Sequence, residues 1–460
     1  MSVVSDGYLN TFSWSLPGLS WMGFVLILIG TSKLLTFFVW PSIRNAPFIL
    51  SIPFVVIAVG WGAFYYTNQY IASKGLSQGA AELFIMILSV GAAVTCLAAV
   101  ATIRSLTAPR GFAMLNGLLI DNVNRGAGLL LSMAAMLLLS GAVVAIGGFY
   151  LLSGVVPAFA ADPLVAKYFA GQYTAQAAPY MSLFRGGMSL YQVGALVGVL
   201  LLSGRGHVGR IIPILLIVLL GAAALLALLS LRRGVAAQPI IEGLMILLLV
   251  RGRIGWVCIG VAVYLLAFTF GSAANQVLLY ALGVKNEVGF DAIIKGLSDV
   301  HDIWWFMDAY HRAEPPETMG MTVFGGLVPY DFPYNPGNYT KWMIGADLNT
   351  GSGGFRLPMS VWGYDAFGYP GLVLWSMVEG FTVVVQALLF RLVAEKGGGR
   401  YVLAINIITY KAVFTICSNL LQWKIDDVLV IILFLMLRLA PAMTRMLGRR
   451  RVKAMTPQTG

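Results

Sequence analysis

Charge is the property this chain has least of. Asp, Glu, Lys and Arg make up 11% of its 460 residues, hydrophobic residues make up 59%, and the mean hydropathy is +0.83. That balance excludes a soluble globular domain and points to a polytopic membrane protein. Histidine is rarer still, at three residues. No HExxH, CxxC or acidic metal pattern occurs, so neither a metal site nor a cofactor is expected. The three cysteines, Cys96, Cys258 and Cys417, all fall inside apolar runs, which argues against a disulfide framework. No basic n-region or small-residue cleavage site precedes the first apolar run, which reads as an uncleaved span rather than a signal peptide. A repeat between the two halves is also missing, as is a matched pair of interrupted helices. Both absences weigh against a transporter built from inverted repeats.

Apolar runs are abundant. A helix needs about 20 apolar residues to cross the hydrocarbon. Segments near that length fall at 20–40, 47–66, 82–103, 127–150, 187–203, 211–231, 235–250, 254–280, 366–392, 401–421 and 427–445. The expected fold class is therefore an all-α polytopic membrane protein with about 11 transmembrane helices, in the range of about 10 to 12, and one large external loop. The expected organisation is spans 1 to 8 over 1–285, the loop over 286–365, spans 9 to 11 over 366–445 and a basic tail over 446–460. Arg44, Arg104, Arg110, Arg125, Arg205, Arg210, Arg251, Arg253, Arg391, Lys396, Arg400 and the tail arginines all fall on one side of that scheme. By the positive-inside rule this side is cytoplasmic, the N-terminus and loop are outside and the C-terminus is inside. The net charge of +11 is accounted for by these clusters, so nucleic acid is not an expected partner.

The loop is the one long run whose polar, aromatic and turn residues are incompatible with hydrocarbon. The apolar spacing of Ile303, Phe306, Met307 and Tyr310 predicts a helix over 299–312, ended by Pro315 and Pro316. Prolines and glycines beyond that point predict an irregular region with one short helix. A second external segment, 151–186, lies on the same expected side.

Several residues are suited to chemistry at a membrane surface. Arg232 and Arg233 end the apolar run ALLALLSLRRG on the expected outer side, where two guanidiniums against low-dielectric walls make an anion site. The alternative is an interfacial anchor reaching for lipid headgroups. His301, Asp302, Asp308, His311 and Arg312 supply imidazoles and carboxylates able to take a proton, and a guanidinium able to hold a leaving phosphate. A solvated helix face is the plainer reading of the aspartates. Arg356 follows the glycines of GSGGFRLPM, and Tyr364 and Asp365 precede FGYPG. Trp304, Trp305, Tyr330, Tyr334, Tyr339 and Trp342 suit either sugar stacking or an interfacial aromatic belt. Lys33, Glu242, Glu379 and Lys411 are ionisable residues inside spans. A contact of Glu242 with Arg233 or Lys411 would be a structural ion pair.

The order of these features resembles the Wzy-type oligosaccharide repeat-unit polymerases of O-antigen and exopolysaccharide synthesis. Three stretches carry the resemblance: LSLRRG with the short span and RGR turn after it, the loop segment MGMTVFGGLVPYDFPYNPG, and DAFGYPGLVLW opening a span. Tyr330 and Asn335 stand where the family commonly has basic residues.

The resemblance implies a metal-independent membrane glycosyltransferase of the GT-C type in a bacterial inner membrane. Its substrate would be an oligosaccharide linked to undecaprenyl pyrophosphate, with membrane lipids and a chain-length regulator protein as further partners. On that reading Arg232, Arg233, Arg312 and Arg356 hold the pyrophosphate, while His311 or Asp365 takes the acceptor proton. An O-antigen ligase, a transporter or flippase of lipid-linked sugar, and a non-enzymatic scaffold are the alternatives.

Overall fold

The computed structural model describes most of residues 78–251 and 357–439, with parts of the loop between 306 and 343. The expected spans at 20–40, 47–66 and 254–280 lie outside the described residues, as do His301, Asp302, Asp308, His311 and Arg356. Everything described is helix, turn or irregular backbone, with no strand among the described residues.

The principal helices are α1 (Gln78–Leu106), α2 (Pro109–Leu118), α3 (Arg125–Ser153), α4 (Met181–Ser203), α5 (Ile211–Leu229) and α6 (Arg233–Val250). After the loop come α7 (Pro336–Met343), α8 (Met359–Lys396), α9 (Arg400–Ser418) and α10, a helical run over 425–439. Five helices among the described residues are long and apolar enough to cross a membrane, and they mark a membrane-embedded protein. On α3, Val144 is 72% and Leu151 86% exposed while Ala142 and Ile146 are fully buried. A helix apolar on both its buried and its exposed faces suits lipid, not water.

Small residues let these helices approach closely. A Cβ on Gly187 of α4 would lie 2.8 Å from Ile146 of α3, and one on Gly194 would lie 3.0 Å from Leu138. As α4 advances, its partners on α3 recede, so the two run antiparallel. Helices α1 and α8 run parallel instead: Gly91 meets Ser376, and Gly380 meets Thr95 and Ala99. The Thr95 hydroxyl donates to the Ser376 carbonyl across this seam at 3.1 Å.

Two ends of the bundle can be told apart. At one, Lys396 pairs with Asp121, Arg400 donates to the Leu201 carbonyl, and Asn406 exchanges two hydrogen bonds with the Ile120 backbone, both at 2.9 Å. This basic end also carries Arg104, in the last turn of α1. The other end carries the segment after α3, the α5–α6 turn and the loop.

Helix α8 is two helices. At Phe367 (φ −147°, ψ 22°) and Gly368 (φ 61°, ψ −145°) the backbone leaves helical geometry, and the Gly368 values are open essentially only to glycine. The chain folds back there. A Cβ on Gly371 would sit 2.0 Å from the Gly363 carbonyl oxygen, although an unbroken helix would hold these residues about 12 Å apart. The sequence places the span at 366–392; the helix begins earlier, at Met359, with a short arm before the break. From Tyr369 to Lys396 alone the helix is about 40 Å long, enough for about 30 Å of hydrocarbon. The arm before Phe367 therefore belongs with the loop.

Candidate functional site

Two clusters occupy the loop end. The first is built around Asp365, the carboxylate of the short arm of α8. It is 1% exposed. The Tyr339 hydroxyl, from α7, donates to its Oδ1 at 2.6 Å, and the Thr318 hydroxyl donates to its Oδ2 at 3.4 Å. The backbone joins in: Thr318 N–H donates to the Asp365 carbonyl at 3.1 Å and Met319 N–H to that of Ala366 at 3.0 Å. One side chain and one short arm thereby fasten two loop segments to the bundle.

Burial pushes the Asp365 carboxyl up to about 7 from an ordinary 3.8, although the hydrogen bonds from Tyr339 and Thr318 pull the other way. The Tyr339 phenol is pushed up as well, first by burial and then by the neighbouring Asp365 charge.

Aromatic rings fill the space around this cluster. Phe306 packs on Tyr310, Tyr339 and Trp362, Tyr310 on Tyr364, and Tyr364 edge-on to Tyr369. Tyr339 is buried, but Trp342 and Tyr369 are 58% and 54% exposed. Of the aromatics named from the sequence, Trp304, Trp305 and Tyr330 lie outside the described residues, while Tyr339 belongs to the core under the loop and Trp342 faces outward. The expected helix over 299–312 is seen at Phe306, Ala309, Tyr310 and Arg312, and Arg312 is exposed. Among its described residues the irregular region carries two short helices, Met321–Phe324 and α7.

The second cluster surrounds Arg232, in the tight turn between α5 and α6. Ser230 sets this turn: its hydroxyl donates to the Ala227 carbonyl at 2.6 Å and accepts from Arg232 N–H at 3.3 Å. Leu231 takes φ 59° to reverse the chain. The Arg232 guanidinium lies 5.6 Å from the ring centre of Phe169 and 5.4 Å from that of Phe184, and its Nη2 donates to the Lys167 carbonyl at 3.5 Å. Phe149, Phe169 and Phe184 pack on one another below it. Ring contacts engage the faces of a guanidinium while its hydrogen bonds lie in its plane, so the two do not compete. Arg233 begins α6 beside it.

Sequence reading named the 151–186 segment and Arg232 but not their contact. Phe169 and Phe184 look like any interfacial aromatic until the fold sets them against a cation. The contacts seen at Arg232 are with Phe169, Phe184 and Lys167, and those at Asp365 are with Tyr339 and Thr318.

A third polar group lies within the bundle. The Lys411 ammonium of α9 sits 2.7 Å from Glu242 Oε1 and 3.0 Å from Oε2. This is the structural ion pair expected of these two span residues; the Arg233 side chain, also named for Glu242, lies outside those described. Comparison with protein-family models, with curated proteins and with solved structures returned no match.

Proposed function

We propose that the chain is a membrane glycosyltransferase that joins undecaprenyl-pyrophosphate-linked oligosaccharide repeat units into a surface polysaccharide. It works at the outer face of a bacterial inner membrane, with the N-terminus outside and the C-terminus cytoplasmic. The observation that carries this reading is Arg232, a guanidinium held between two rings and a carbonyl where an apolar helix ends. A cation fixed against low-dielectric walls is worth most to a group that gains negative charge as it leaves. A lipid-linked pyrophosphate presents such a group at this depth.

In the reaction, an acceptor hydroxyl forms a bond to the anomeric carbon of the donor glycan. The bond from that carbon to the pyrophosphate oxygen breaks, and the leaving oxygen keeps the electron pair. Arg232, with Arg233, Arg312 and Arg356, balances that charge. The hydroxyl proton passes to His311 or Asp365, and a carboxyl near 7 is poised for such a transfer near neutral pH. The steps require membrane lipid around the bundle and are compatible with a chain-length regulator protein as partner.

The test is the length distribution of surface glycan in the source strain lacking this gene. A ligase predicts long polymer left on the carrier. A flippase, which the intramembrane Glu242–Lys411 pair would suit, predicts loss of all external glycan.

A further inference from the structure

Glu242 and Lys411 do not sit in a sealed core. They border a cavity of about 200 Å³ among α4, α6, α8, α9 and the start of α10, far more than the about 30 Å³ share of one water. Three carboxamides face it from three different helices: Gln192, Gln238 and Gln386. Pro239 breaks the hydrogen-bond ladder of α6 beside Gln238. On the far wall the Gln386 amide donates to the Tyr410 hydroxyl at 2.7 Å, which fixes both. Amides from three separate helices thus converge on one cavity, and polar groups within a membrane bundle usually mark a substrate or ion path.

The charge at the cavity is lopsided. Glu242, Asp426 and Asp427 set three carboxylates against the single ammonium of Lys411. The Lys411 charge is already matched by Glu242 at 2.7 Å, and Asp427 also accepts the Lys424 N–H at 3.0 Å, capping α10. An acidic wall repels phosphate. The acidic groups do not gather into a metal-holding cluster among the described residues. What remains is a set of donors and acceptors suited to neighbouring hydroxyls, since amides and carboxylates can each bridge a diol.

We infer that this cavity binds an uncharged, hydroxyl-rich sugar ring, and so is a glycan site separate from the cationic site at Arg232. Its role rests on the proposed function: it would hold the acceptor end of one repeat unit, while Arg232 holds the donor's pyrophosphate. The two sites divide the labour by charge.

The experiment uses the full-length protein in lipid nanodiscs. The probes are the oligosaccharide released by mild acid from the source strain's surface glycan and, separately, inorganic pyrophosphate, both followed by ligand-observed NMR. Wild type should bind the oligosaccharide. Gln192→Ala/Gln238→Ala should bind it about tenfold more weakly, as expected for one or two lost hydrogen bonds, with pyrophosphate binding unchanged.

Glu242→Gln/Lys411→Met removes both charges of the ion pair together and should also weaken sugar binding. Arg232→Ala should do the reverse, losing pyrophosphate and keeping sugar. Each variant is first shown to match wild type in melting temperature. Sugar binding absent from wild type, unmoved by either cavity variant, or displaced by pyrophosphate would overturn the inference. An unchanged glycan length in the deletion strain would sink the polymerase reading but leave the sugar-binding result standing on its own.

Discussion

Asp365 holds the loop by accepting hydrogen bonds from Tyr339 and Thr318, and its burial raises its carboxyl from 3.8 to about 7. A folded-state value above the unfolded one means that the docked loop holds the proton more tightly. The stability it contributes is complete below about 3.8 and is lost as pH rises through about 7. Amide hydrogen exchange at Thr318 and Met319, both bonded to this arm, should therefore show opening that increases across that window beyond the intrinsic pH effect. Asp365→Asn should flatten the dependence, and protection that grows with pH would contradict it.

Tyr339→Phe removes a donor to a buried carboxyl and should lower stability by about 1–3 kcal/mol in thermal melts. The sequence pointed to Asp365 through its place before FGYPG. Its partners are 26 and 47 residues away, a pairing that no local pattern encodes.

At the scale of elements, the fold-back in α8 controls where the loop can dock. Gly368→Ala forces a side chain onto φ 61°, and Gly371→Ala drives a methyl to 2.0 Å from the Gly363 carbonyl. Each should destabilise by about 1–3 kcal/mol or more, read as a lower melting temperature with loss of loop protection. Gly117→Ala is the matched control. Its Cβ would meet nothing within 4 Å in α2, and the helix should gain about 0.5–1 kcal/mol. Equal melts for Gly371→Ala and Gly117→Ala would contradict the fold-back. The sequence marked this spot as the entry to a span, because FGYPG is full of breakers. The helical arm before it was hidden, since the residues up to 365 read as part of the loop.

Across the whole molecule, apolar length was the legible signal. The runs beginning near 127, 187, 211, 366 and 401 correspond to the helices able to cross a membrane, because a crossing calls for about 20 mostly apolar residues. Partnerships between spans were less legible. Glu242 and Lys411 are 169 residues apart, and only the cost of a lone charge in hydrocarbon suggested that they meet. The proposed topology predicts that a cysteine placed at Met319, which is 70% exposed, reacts with a membrane-impermeant maleimide added to intact spheroplasts. A cysteine at exposed Arg110 should react only after lysis, and the opposite pattern would invert the topology.

The central claim, that Arg232 serves transfer of glycan from a lipid pyrophosphate, is tested most directly by surface glycan length in the deletion strain. The strain is complemented in turn with wild type, Arg232→Lys and Arg232→Ala. The account predicts single repeats in the deletion strain and full-length polymer with wild type. Arg232→Lys should give shortened polymer, because an ammonium lacks the guanidinium fork, and Arg232→Ala should reduce polymerisation by about 10²–10³-fold. Normal polymer from an Arg232→Ala protein present at wild-type levels would contradict it.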